Sequence, residues 1–242
     1  MRSQYIHLKK GDTASDVYRI VSCKRFLQML KDGNNGLVRP RMWDDPFENF
    51  ILNGIAVAAD GTKARIGFRN QLYGQCWSQH KEVDLMWRAY SPGNAAVKLR
   101  SNVGALLRTL YSCAGKYREI SCFIGRVQYT SRYKLSRVLN LVNLIDPSGR
   151  NIARTLLVKR WAFRAEKEVR LIYFNQDSDF DNDVFSYAVD TNALVTEAVL
   201  DPRMLPNEVD IWKKRFRKAG FTNRMIQSGL YKPPEGIFVP IK

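Results

Sequence analysis

The chain has 242 residues, 45% of them hydrophobic and 12% aromatic, and carries 39 Lys and Arg against 23 Asp and Glu, a formal net charge of +16. That length suits one hydrophobic core, and no Gly/Ser- or Pro-rich linker interrupts it, so a single domain over residues 1–242 is expected. No apolar run reaches the ~18 residues that span a bilayer and Met1–His7 lacks a secretory pattern, which points to a cytoplasmic protein without a membrane partner.

Four cysteines (Cys23, Cys76, Cys113, Cys122) without a CxxC pair, and two histidines, do not supply a zinc site, so no metal is expected. The positive field favours a polyanionic partner, RNA before DNA.

In chain order, Val17–Val21 reads as a strand and Lys24–Lys31 as a helix stopped at Gly33. Met42–Asn49 is an aromatic and acidic loop, with Pro46 pushing Asp45 out of helical space. Arg65–Leu72 is amphipathic, Gly74–Ser78 a short strand, Val83–Tyr90 a helical turn or two, and Ala95–Leu99 a strand. A helix over Val103–Tyr111 and a strand over Ser121–Tyr129 follow, then loop and helix from Val138 to Leu157. Val169–Phe174 is a strong strand, Asp177–Asp183 an acidic loop, Phe185–Val189 and Val195–Leu200 strands, and Glu208–Ala219 a basic helix ending at Gly220. Irregular alternation of this kind predicts an α+β fold, and the absence of GxGxxG and P-loop patterns leaves those two modes of nucleotide binding unsupported.

Three features carry chemistry. Glu166 and Glu168, two apart at the mouth of a strand, place both carboxylates on one face, where repulsion and desolvation can split their protonation; alternatively they form an exposed ladder with Arg170. Arg19 lies mid-strand among apolar residues and must face a ligand or pair with an acid such as Asp44, Asp45 or Glu48. The aromatics of Trp43–Asn49 and of Met86–Ser91, Trp87 and Tyr90 among them, stack a flat ring or fill the core, and Ser78, after Trp77, gains interest only in company. The cluster Lys213, Lys214, Arg215 and Arg217 suits phosphates or is a solvated helix face.

Tyr18-Arg19, then Trp43-Asp-Asp-Pro-Phe-Glu48, Cys76-Trp-Ser78, Met86-Trp87-x-x-Tyr90-Ser91 and Lys159-x-Trp161-x4-Glu166-x-Glu168-x-Arg170, taken in that order, resemble a bacterial family known mainly as a domain of unknown function. Its layout is similar to the ADP-ribosyltransferase superfamily of the Arg-Ser-Glu type. The second motif here is Trp-Ser-Gln where that superfamily has Ser-Thr-Ser.

The resemblance implies two small, mainly antiparallel sheets around an NAD cleft, with flanking helices and NAD as co-substrate. Arg19 and Tyr18 would hold NAD with Ser78, Trp77 and Trp87; Glu168 would be the catalytic glutamate and Glu166 would orient or deprotonate the acceptor. It further implies a toxin that modifies nucleic acid in bacterial defence, held silent by an antitoxin and a chaperone. Two rival readings differ in chemistry: a nucleic-acid-binding module without catalysis, and a nuclease holding Mg²⁺ on Asp44, Asp45 and Glu48.

Overall fold

A computed structural model describes residues 2–43, 45–58, 60–131, 134, 146–177, 181–234 and 236. Asp44, and residues 138–145 of the loop expected before the 150s, lie outside the described residues. The strands are β1 (Tyr5–Ile6), β2 (Asp16–Ser22), β3 (Asn34–Val38), β4 (Ile55–Val57), β5 (Lys63–Arg65), β6 (Leu72–Ser78), β7 (Ala96–Asn102), β8 (Cys122–Arg126), β9 (Gln128–Thr130), β10 (Val158–Arg160), β11 (Glu168–Phe174), β12 (Val184–Ala188), β13 (Glu197–Leu200) and β14 (Arg224–Gln227). The helices that matter for the site are α1 (Cys23–Asp32), α2 (Asp84–Tyr90), α3 (Val103–Cys113) and the C-terminal helix Pro206–Lys218. No helix among the described residues is long and apolar enough to cross a membrane.

Two separate sheets were expected; hydrogen bonding instead joins ten strands in one mixed sheet of order β1-β8-β11-β6-β2-β7-β13-β14, with β3 and β12 branching from β6. The two halves meet along a narrow seam. β6 pairs with β11 over its whole length, from Glu168↔Ser78 to Phe174↔Leu72, but with β2 only at Tyr18↔Ser78 and with β3 only at Val38↔Gly74. Between those two points the β6 edge is unpaired to its neighbours, and β2 turns instead onto β7 for seven residue pairs. The sheet therefore parts beside Gln75–Trp77.

Strand alternation explains the two cores. Val169, Leu171 and Tyr173 of β11 face a core built with α1 and α3, whereas Ile172 and Phe174 join Leu72, Phe123 and Leu157 on the opposite face. Ser22 caps α1 by accepting from the Arg25 N–H at 3.2 Å, and Gly33 ends it in the left-handed region at φ 61°. The C-terminal helix docks on α1 by the edge-on contact of Phe216 with Phe26, 4.9 Å between centroids.

Candidate functional site

A cleft of about 340 Å³ opens where β2 and β6 part, within the size range of small-molecule sites. Because the gap passes through the sheet, side chains from both faces reach it. Arg19 and Trp77 come from the face of α1, Tyr18, Cys76, Ser78 and Glu168 from the other, and Glu166 from the turn before β11. The two features singled out as chemical, Arg19 and the Glu166/Glu168 pair, thus line one cavity.

Glu166 is not on the strand. It is the last residue of a 3₁₀ segment, Trp161–Glu166, and Lys167 then takes the left-handed conformation at φ 43° before β11 begins. The turn, not strand alternation, brings the carboxylates together. Ser78 fixes it, donating its hydroxyl to the Glu166 carbonyl at 2.7 Å and accepting the His80 N–H at 3.0 Å. Its oxygen is committed to holding the turn.

The carboxylates converge on a lysine that the motif contains but the charge pattern did not single out. Lys159 Nζ lies 2.8 Å from Glu48, 2.5 Å from Glu166 and 3.2 Å from Glu168. Arg170, fully buried, forks both oxygens of Glu168 at 2.9 and 3.0 Å, reaches Glu48 at 2.8 Å and donates to the Leu156 carbonyl. Trp43 lies 4.4 Å from the Arg170 guanidinium, and its ring fits only because residue 74 is glycine: a Cβ there would stand 2.5 Å from the indole.

The exposed Glu-Glu-Arg ladder is therefore excluded, as is a pairing of Arg19 with Glu48 or Asp45, since Asp45 holds Arg160 at 2.9 Å. Two of the three acids of the nuclease reading are taken in the same way, Glu48 by Lys159 and Arg170 and Asp45 by Arg160, while Asp44 lies outside the described residues. A signal for the cluster was present in the sequence, because an arginine inside Val169–Phe174 must find a carboxylate, and Glu168 is its neighbour on the same face.

The two glutamates are split. Burial, with repulsion from Glu168 and Glu48, raises Glu166 above its ordinary value despite Lys159. Burial pushes Glu168 up as well, but Arg170 and Lys159 outweigh it and hold that carboxyl low. Glu168 stays an anion, whereas Glu166 is poised to take a proton. Tyr90, at 3.5 Å from Glu166, and the Cys76 thiol beside Glu168 are both raised, by burial first, and stay neutral.

Arg19 is different. Its side chain has no hydrogen bond or ion pair among the described residues, and burial, together with Arg25, lowers its pKa. Of the aromatics, Trp87 is fully buried with its N–H on Glu82 at 3.2 Å, and Trp77 is almost so, with its N–H on Gln75 at 2.8 Å. Both brace the wall rather than offer an open ring face. Lys98, buried and unforeseen, lies 5.8 and 5.5 Å from the Tyr18 and Trp87 rings and pairs with Glu82 at 3.0 Å.

None of Lys213, Lys214, Arg215 and Arg217 lines the cleft. Arg215 stacks on Trp212 of its own helix at 4.9 Å, and Arg217 donates to the Phe221 carbonyl at 2.6 Å, closing the helix end. Lys214 remains exposed and Lys213 half-buried.

The chain matches no family model and no curated protein. Among solved structures it is similar to Thermus sp. 2.9 DarT in complex with NAD+ (TM-score 0.41, 12% identity, covering 89% of this chain and 96% of that one) and with carba-NAD+ (TM-score 0.40, 10% identity, 89% and 96%). It is also similar to the same protein in complex with ADP-ribosylated single-stranded DNA (TM-score 0.41, 10% identity, 89% and 94%). At this level of overlap the likeness assigns no residue a role, and the site rests on its own geometry.

Proposed function

We propose that the cleft binds NAD and that the chain transfers ADP-ribose from it to nucleic acid, with RNA as the first acceptor. The observation that carries this reading is the convergence on one cleft of an arginine without a partner among the described residues and a pair of carboxylates with opposed pKa shifts. The ligand that fits has an anionic section for the Arg19 fork and, at its other end, a bond whose cleavage builds positive charge near Glu168. NAD has both, in its diphosphate and its nicotinamide–ribose bond.

In this reading Arg19 holds the diphosphate, and Tyr18, Trp77 and Trp87 shape the walls of the cleft around the bound NAD. As the bond from the ribose carbon to the nicotinamide nitrogen breaks, the bonding pair leaves with the nicotinamide. Glu168 stays ionised beneath the positive charge that develops on the ribose. An acceptor oxygen or nitrogen forms the new bond to that carbon, and Glu166 takes its proton. Lys159 and Tyr90 hold the two oxygens of Glu166, and Ser78 holds the turn that presents it. A net charge of +16 favours a polyanionic acceptor, drawn to the positive surface that includes the C-terminal helix. In this reading the chain is a toxin kept silent by an antitoxin, because transfer to cellular RNA would harm the cell that makes it.

The test is incubation with adenylate-labelled NAD and pools of RNA, single-stranded DNA and protein, reading label transfer and nicotinamide release. RNA should acquire label. Glu166→Gln should lose transfer by at least tenfold while hydrolysis of NAD to ADP-ribose persists, since general-base contributions run to ~10²–10⁴-fold. Absence of both nicotinamide release and labelled macromolecule would sink the reading in favour of a binding module.

A further inference from the structure

A second, smaller cavity shares Arg19 and Trp77 with the main cleft and is closed on its other side by Arg25, Asn34, Asn35 and Gly36. Its volume, about 20 Å³, is too small for a ring, and only groups the size of phosphoryl oxygens enter it. No carboxylate among the described residues lines it.

We infer that Arg25 and Arg19 together form a two-guanidinium seat for a diphosphate, with Arg25 supplying the half that the proposed NAD reading does not assign. Arg25 stands in the first turn of α1, where the Ser22 cap fixes its backbone. Its exposed side chain passes over β3 beside Gly36, where a Cβ would stand 2.9 Å from Nη2 and would push the guanidinium aside. The hydrogen-bond partner of its guanidinium is the neutral amide of Gln28, at 3.1 Å. Among the described residues neither arginine has an ion pair, so two like charges border one cavity with no counter-ion. An anion removes that repulsion and offers oxygens to both planar forks at once, single oxygens reaching into the small cavity while the rest of the diphosphate lies in the main cleft. Identification of the whole ligand rests on the NAD reading; the seat itself rests on the two arginines.

Calorimetric titration with inorganic diphosphate and, separately, with NAD tests the seat in the wild type, Arg25→Ala, Arg25→Lys and, as a control for lost surface charge, Lys63→Ala. Arg25→Ala should weaken diphosphate binding roughly tenfold or more, as expected when a charge-assisted bidentate contact is removed. It should also raise the KM for NAD by a similar factor at unchanged kcat. Arg25→Lys should recover part of the loss, and Lys63→Ala, on the exposed hairpin β4–β5, should bind as the wild type does. Diphosphate binding that depends on Arg25 without NAD binding would uphold the seat and overturn the NAD reading. NAD binding indifferent to Arg25→Ala would overturn the seat alone, and a wild type that binds neither would overturn both.

Discussion

The two ends of the cleft treat charge in opposite ways. At one end three carboxylates and two cations are locked together by distances of 2.5–3.2 Å; at the other, Arg19 and Arg25 have no acid among the described residues. A buried ion cluster is weak evidence for stability, because desolvation offsets most of the Coulombic gain, but it fixes geometry and protonation. A cation without a partner fixes nothing and leaves its interaction energy to a ligand. On the proposed reading, the difference separates the end that acts from the end that holds.

The strongest way to break the comparison is to remove the cation at the centre of the acids. Lys159→Met should cost about 3–5 kcal/mol of unfolding free energy, measured by denaturant titration, because it leaves three carboxylates facing one another. It should also move the acid limb of the transfer-rate profile to higher pH, since loss of the ammonium raises Glu166 further. Lys159→Arg should restore both. A profile that stays in place would show that Lys159 is merely structural.

Next in size is Glu168→Gln, which should lower transfer by about 10²–10³-fold through loss of an anion that acts in the transition state. Because Arg170 loses half of its counter-charge, the variant should also melt at a lower temperature than the wild type. The sign with pH follows from the shifts: Glu168, held below 4.5, contributes stability that is present above that pH and lost as pH falls. Glu166, held above it, does the reverse and disfavours the folded state as pH rises past 4.5.

The smallest effect is expected far from the cleft. Neutralising Lys213, Lys214, Arg215 and Arg217 together should flatten the salt dependence of RNA binding, by at most roughly 0.7 in slope for each phosphate that is no longer neutralised. Part of that change belongs to Arg217, whose bond to the Phe221 carbonyl closes the helix. Hydrolysis of NAD should be unchanged.

Strands and helices with clear periodicity, such as β2, α1, α3 and β11, were legible in the sequence. β3 was not: Asn34-Asn-Gly36 has the composition of a turn, yet it pairs with β12, and Asn35 is buried in a network with Gln75 and Tyr187. Tertiary hydrogen bonds override local preference there. Arg19 was legible as a candidate because a charged residue inside an apolar strand needs a reason, and the glutamates through their spacing beside β11, although a turn and not strand alternation brings them together. Lys159 and Arg25 were not, and Glu48 was singled out for other roles, since its partners Lys159 and Arg170 come from a remote segment. Ring stacking is the use that composition suggests for Trp87 and the resemblance for Trp77, but the structure buries both and commits their N–H groups to internal acceptors.

Lys167 ties these threads to design. A non-glycine residue in the left-handed region costs roughly 1–2 kcal/mol, so replacing it with glycine removes local strain. The same replacement widens the backbone choices of the one turn that aims Glu166 at its lysine and at the cleft. Stability and a fixed direction for the Glu166 carboxylate therefore make opposite demands on position 167, and lysine there keeps the turn narrow at a cost in backbone strain.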